Sequence, residues 1–234
     1  MKKNLFVLLL LLPTCWISAQ SVIENPNVAE QTHQELKILK ISIYNDSTII
    51  DLAIENKLAS GGWFCTDRNT YIEDPKSQSR YKLVKTRGIP NCPSVYNFTQ
   101  AGEILTFTLV FPPTPSITNL MNLIEDCDKA CFSFKGIILD KDLNDDINTY
   151  SLGVEHYAAN RTSEAINCFM KVVEDIPEFP THVYGYSYYN LIRIYKEKGD
   201  LVTMRFWLDQ LSRSPLPDRQ YFLDALKKEG IPSK

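Results

Sequence analysis

Asp140, Asp142 and Asn144 stand at the one, three, five spacing with which a calcium loop presents its oxygen ligands. The pattern then breaks, because Asp145 occupies the place of the glycine that lets the loop turn and Ser151 that of the bidentate glutamate. An acidic connection between two domains, capping the first helix of the second, is the expected role instead. The three histidines, His33, His156 and His182, are scattered with no metal-ligand spacing, and Cys127 with Cys131 lacks partners at the distances a zinc site uses. No phosphate loop and no strand-to-helix nucleophile elbow is present. A Cys-His pair would have to be assembled by the fold. No catalytic residue, metal or cofactor is therefore assigned, and the chain reads as non-enzymatic.

The most distinctive local feature is aromatic: Tyr184, Tyr186, Tyr188 and Tyr189, with Tyr195 beyond them. Phenol rings bury large areas at small entropic cost and carry a polar tip, which suits a surface that holds a partner. The competing reading packs the same rings against the other half of the chain, with Tyr188 and Tyr195 in the core either way.

The stretch that must position these rings runs from Asp146 to Pro217. In its first part Leu152 and Gly153 are followed by Ala165, Phe169, Val172 and Pro177; in its second, Tyr188, Leu191, Tyr195 and Gly199 precede Met204, Leu208 and Leu211. Small residues are needed where antiparallel helices touch, and bulky ones a turn away fill the groove beside them. Thr162 and Asp200 are expected N-caps, with Glu164 near the positive end of its helix. Pro177 and Pro180 stop one helix and Pro215 and Pro217 another, and Asp218 to Glu229 reads as a final helix over the open end.

With Gly153 as the eighth position, Ala165, Phe169, Val172 and Pro177 fall at 20, 24, 27 and 32, and Met204, Leu208 and Leu211 take 20, 24 and 27 of the next unit. This spacing resembles the tetratricopeptide repeat, with His156 where that motif has Tyr, Ile192 where it has Gly and Met204 where it has Ala. The resemblance implies stacked helical hairpins and a concave groove lined by the first helix of each pair. By that carry-over the groove holds Ile147, Tyr150, Val154 and Tyr157 from one unit and Tyr186, Tyr189, Arg193 and Lys196 from the next, with Arg193 selecting acidic or C-terminal groups. Two pairs and one helix fall short of the three repeats such arrays usually need.

The chain opens with Lys2 and Lys3, an apolar run from Leu5 to Leu12 and a polar exit at Ser18, Ala19 and Gln20, which reads as a secretory signal peptide cut after Ala19. Its apolar run is too short to span a bilayer. Cys15 is preceded by Leu12, Pro13 and Thr14, and Thr14 suits a lipoprotein box poorly; a membrane role is expected only if Cys15 is lipidated. Loss of Lys2 and Lys3 takes the formal charge from −3 to −5, and an acidic chain without a basic stripe is not a nucleic-acid binder. Five cysteines remain, so one is left over. Cys127 can pair with Cys131 if their segment is a loop, and Cys65 with Cys92 is the other candidate pair; spacing alone does not fix the connectivity. Cys168, beside Phe169, is expected as a small buried hydrophobe.

Before the helices, residues 20–35 read as a polar lead-in and 36–140 as strands. Leu39, Ile41 and Ile43 alternate with polar neighbours, and Ile50, Leu52 and Ile54 follow a turn at Asn45 to Ser47, making a hairpin. Leu105, Phe107, Leu109 and Phe111 alternate likewise, Tyr81 to Val84 and Phe132 to Leu139 supply further strands, and Leu120, Leu123 and Ile124 suggest a short helical crossing. Alternating strands divided by turns predict an antiparallel sandwich. The run from Ala101 to Pro113, with Gly61-Gly62-Trp63 before it and Leu123-Ile124-Glu125 after, resembles a sandwich domain of secreted bacterial envelope proteins.

The expected architecture is thus two domains, an N-terminal antiparallel β-sandwich (all-β) followed by C-terminal α-helical TPR-like hairpins over 146–230. The expected function is a secreted or periplasmic envelope protein that binds a protein or peptide partner in the helical groove. The alternative is a carbohydrate-binding module in which Trp63 and Tyr96 of the sandwich serve as stacking platforms.

Overall fold

The computed structural model describes residues 21–114, 117, 119–178 and 180–231; the expected signal peptide and Cys15 lie outside them. Period-two alternation builds the first half. Its strands are β1 (Ser21–Glu24), β2 (Val28–Gln31), β3 (Leu36–Ile43), β4 (Thr48–Glu55), β5 (Trp63–Phe64), β6 (Tyr71–Glu73), β7 (Arg80–Lys82), β8 (Lys85–Arg87), β9 (Tyr96–Asn97), β10 (Ile104–Phe111), β11 (Leu120–Ile124) and β12 (Ser133–Ile138). They form two antiparallel five-stranded sheets, ordered β1-β3-β4-β10-β8 and β2-β12-β11-β6-β7, and a small β5-β9 ribbon. Ile50, Leu52 and Ile54 of β4 and Leu105, Phe107, Leu109 and Phe111 of β10 turn inward to meet Ile72, Leu123 and Phe134 of the facing sheet in one core. Burial of each such side chain is worth about 1.5–3 kcal/mol.

Three expectations for this half are corrected. The lead-in contains β1 and β2, and each is the outer strand of a different sheet. Edge strands expose most of their side chains, and in β1 only Ile23 is buried, so no alternation betrays them. In β3 the register against β4 slips between Ile38 and Lys40. That bulge switches the inward face from Leu36 and Ile38 to Ile41, where unbroken alternation would have aligned Leu39 with Ile41 and Ile43. Leu120 to Ile124 is no helical crossing; it is β11, hydrogen-bonded between β12 and β6.

The helices are α1 (Lys141–Ala158), α2 (Thr162–Val172), α3 (His182–Glu197), α4 (Leu201–Arg213) and α5 (Arg219–Lys228). The first starts earlier than Asp146 because Asp140 caps it, accepting the Leu143 N–H. Thr162 is the first helical residue of α2 rather than its cap, and Arg161 at the cap position makes no side-chain bond. Asp200 caps α4 by accepting the Thr203 N–H, after a left-handed turn at Gly199 (φ 73°) that glycine takes without strain. Ala165, Phe169, Leu191, Met204, Leu211 and Phe222 share a second apolar cluster, separate from that of the sheets.

Two glycines set the distances between helices. A Cβ on Gly153 would lie 2.7 Å from the Phe169 ring, and one on Gly185 would lie 1.9 Å from the Phe222 ring. Small residues thus stand where α1 meets α2 and where α3 meets α5.

The two halves join through Asn144. Its Oδ1 accepts from the Asn27 backbone N–H at 2.7 Å and from Asn27 Nδ2 at 2.9 Å, while its Nδ2 donates to the carbonyls of Ile138 and Asp140. This side chain, 2 % exposed, uses all its valences on the joint, and Asp140 uses its carboxylate on the helix cap. The one, three, five spacing therefore serves helix capping and packing at the connection between the halves.

Disulfides link Cys65 to Cys92 and Cys127 to Cys131, and Cys168 is free. Cys168 is half-buried rather than fully inside, and burial pushes its thiol up. Two disulfides fit a non-cytoplasmic, oxidising compartment. Among the described residues no helix is long and apolar enough to cross a membrane.

Candidate functional site: an aromatic face across three helices

Helical spacing puts Tyr150 of α1, Tyr186 of α3 and Tyr221 of α5 in a row. The Tyr150 and Tyr186 rings lie 6.2 Å apart, and Tyr186 and Tyr221 both pack against the ring of Phe222. Phe169 and Phe222 support the row from within, Phe169 at 5.8 Å from Tyr150 and Phe222 edge-on to Tyr186 at 4.9 Å and to Tyr221 at 5.1 Å. Such edge contacts add about 0.5–1.5 kcal/mol each beyond burial. Buried phenylalanines hold the rings upright while the outer edges stay open: Tyr221 is 62 % exposed and Tyr186 38 %. Val154, one turn along α1 from Tyr150, is exposed as well, whereas Ile147 is half-buried.

Beside this row runs a polar one. Tyr157 donates to Glu197 at 2.5 Å. Arg193 lies 3.2 Å from Glu229 and 3.7 Å from Glu197, with its guanidinium 5.6 Å from the Tyr189 ring centre. Tyr189 also donates to Glu229, and Lys196 donates to the Glu229 carbonyl at 2.6 Å. A cation there also meets the negative end of α5. The Tyr157 phenol is pushed up by its bond to Glu197 and then by burial; for Tyr189 burial leads and Glu229 adds to it. Charges this accessible contribute little stability singly, but together they fasten the last turn of α5 to α3.

All seven residues expected in the groove therefore belong to one region of the helical unit, in two roles. Val154 and Tyr186 are exposed, and Tyr150, half-buried, adjoins them through its ring contact with Tyr186. Tyr157, Tyr189, Arg193 and Lys196 are engaged with Glu197 and Glu229, so the carboxylate that Arg193 was expected to take from a ligand is supplied by the chain itself. The ring partners are all helical, and Tyr184, fully buried, donates to Asp146 at 2.7 Å. Burial and that bond push the Tyr184 phenol up.

Sequence reasoning missed Tyr221 and Glu229, because α5 was taken only as a lid for the open end. Its signal was available: Tyr221 falls one residue before the buried Phe222, at the phase that points outward.

Among the described residues no three metal-binding side chains cluster. His156 accepts from Arg161 at 2.8 Å, His182 pairs with Asp218 at 2.5 Å and His33 bonds Thr32, so each has a local partner. Comparison with protein-family models, curated proteins and solved structures returns no significant match.

Proposed function

We propose that the chain is a non-enzymatic binding protein of the secreted or periplasmic space, holding a protein or peptide partner on the face shared by α1, α3 and α5. The observation that carries this reading is the exposed pair Tyr186 and Tyr221, backed by buried Phe222 and continued by the half-buried ring of Tyr150. Side chains of this type anchor interfaces, because a ring already held in place loses little freedom when covered. The tetratricopeptide-like spacing supports the same side of the helices, and the expected leader at 1–19 with the two disulfides supports the location.

Mechanistically, the tyrosine row supplies affinity and the polar row, closed on itself through Glu229, shapes its edge. Tyr221 tests the reading cleanly because it is exposed and its loss need not disturb the core. Tyr221→Ala should abolish partner capture from an envelope extract and leave the helical content intact, while Val202→Ala, at a site 82 % exposed on α4, should capture normally. Equal capture by both variants would defeat the proposal.

A further inference from the structure

The loops at one end of the sandwich enclose a cleft of about 780 Å³, within the range of small-ligand sites. It lies where β2–β3, β4–β5, β8–β9 and β11–β12 connect, and Leu58, Trp63, Pro93 and Val95 are among its walls. Leu58 is 59 % exposed and Trp63 63 %.

Trp63 is exposed on a backbone that is held in place. It pairs with Asn97 across the β5-β9 ribbon, and the next residue, Phe64, packs into the core 5.8 Å from Phe107 and 6.2 Å from Phe132. Cys65, following it, is tied to Cys92, and Cys127, which also lines the cleft, is bridged to Cys131. The β9–β10 turn is held by Glu103, which accepts from Tyr96, from the Thr99 N–H and from the Thr99 hydroxyl. Those bonds hold the Glu103 carboxyl down at about 2. They also commit Tyr96, so Trp63 alone of the two expected platforms offers an open ring.

The cleft is lined more by carboxylates than by cations, and part of that charge is held by the chain itself. Lys57 lies 2.6 Å from Glu55. Glu125, 7 % exposed, accepts the backbone N–H groups of Asp67 and Phe132 at 2.7 and 3.1 Å. Asp128 and Lys129 bring both signs to one wall. Glu35, Glu55, Asp67, Glu125 and Asp128 stand against Lys57 and Lys129, so an anionic ligand is repelled and hydrogen-bond acceptors predominate. A neutral one bearing many hydroxyls and an apolar ring face finds an indole to lie on and carboxylates to accept its protons.

We propose that this cleft is a binding site for a neutral saccharide chain, with Trp63 as its stacking platform. The proposal stands independently of the helical face. Titrating the full chain with chitohexaose, cellohexaose and maltohexaose should give a saturable change in tryptophan fluorescence for at least one of them. Trp63→Ala should weaken that binding by about tenfold or more, Trp63→Phe by less, and Trp207→Phe not at all. Failure of all three hexaoses, undiminished binding by Trp63→Ala, or tighter binding of a charged probe such as hexagalacturonate or decyltrimethylammonium, or of an extended peptide, would overturn it.

Discussion

Replacing Gly185 by alanine reverses the sign that helix propensity alone assigns. In a helix interior, alanine is better than glycine by about 1 kcal/mol, so the substitution in α3 would ordinarily stabilise. Here the new Cβ would lie 1.9, 2.4 and 2.6 Å from Cε2, Cδ2 and Cζ of Phe222. Carbon atoms rest near 3.5 Å, so the ring must retreat by roughly 1.5 Å. It has little room, being 1 % exposed and edge-on to Tyr186. Overpacking of this kind costs about 1–3 kcal/mol, and expelling the ring altogether approaches the roughly 3–5 kcal/mol of a Phe→Ala change. After the gain in propensity, a net loss of up to about 4 kcal/mol is expected, the larger part of that range if the ring is expelled. Urea unfolding followed by far-UV circular dichroism should record it, and hydrogen exchange should rise first in α5. The decisive control is the double variant: once Phe222→Ala has removed the ring, Gly185→Ala should become stabilising by about 1 kcal/mol. A single Gly185→Ala variant more stable than the parent would refute the packing argument, and with it the account of how Tyr221 is brought beside Tyr186.

Asn144→Ala should strip four hydrogen bonds from the joint between the halves. With buried donors and acceptors left unpaired, the cost is about 1–3 kcal/mol, and faster exchange at the Asn27 amide, without change in the core of β4 and β10, is the expected signature; unchanged exchange at Asn27 would contradict it. For the disulfides, closure of the loop between Cys65 and Cys92, separated by 27 residues, is worth about 3.5 kcal/mol by chain entropy, against about 2 kcal/mol for Cys127–Cys131, separated by 4. Serine replacement of the first pair should therefore lower the urea midpoint of the sandwich more than replacement of the second, and the reverse order would count against it.

The parts of the fold legible in the sequence are those whose side chains repeat with the backbone. Leu105, Phe107, Leu109 and Phe111 declare β10 because one face of that strand is buried and the other is not. Ala165 with Phe169, and Asp200 after Gly199, declare the helical pairs for the same local reason. What escaped depends on partners distant in the chain. Residues 21–31 carry no alternation, since an edge strand is defined by the backbone bonds it completes. The bulge at Leu39 leaves its neighbours looking regular. At the candidate site, Tyr150, Val154 and Tyr186 could be placed by helical phase, but the engagement of Arg193, Tyr189 and Lys196 by Glu229 joins residues more than thirty apart. No spacing rule announces such a contact. The open edge of Trp63 is equally a product of the fold, because the sequence shows a tryptophan next to a phenylalanine without saying which of the two faces the core.

Whether the row of tyrosines across α1, α3 and α5 is a docking surface can be read by placing a photo-reactive phenylalanine at position 221 and, in a separate chain, at position 202 on α4. Irradiation in intact envelopes should join one discrete protein or peptide to the chain labelled at 221 and nothing comparable to the chain labelled at 202. Adducts that are absent from 221, or that form equally from both positions, would contradict the claim that this face holds the partner.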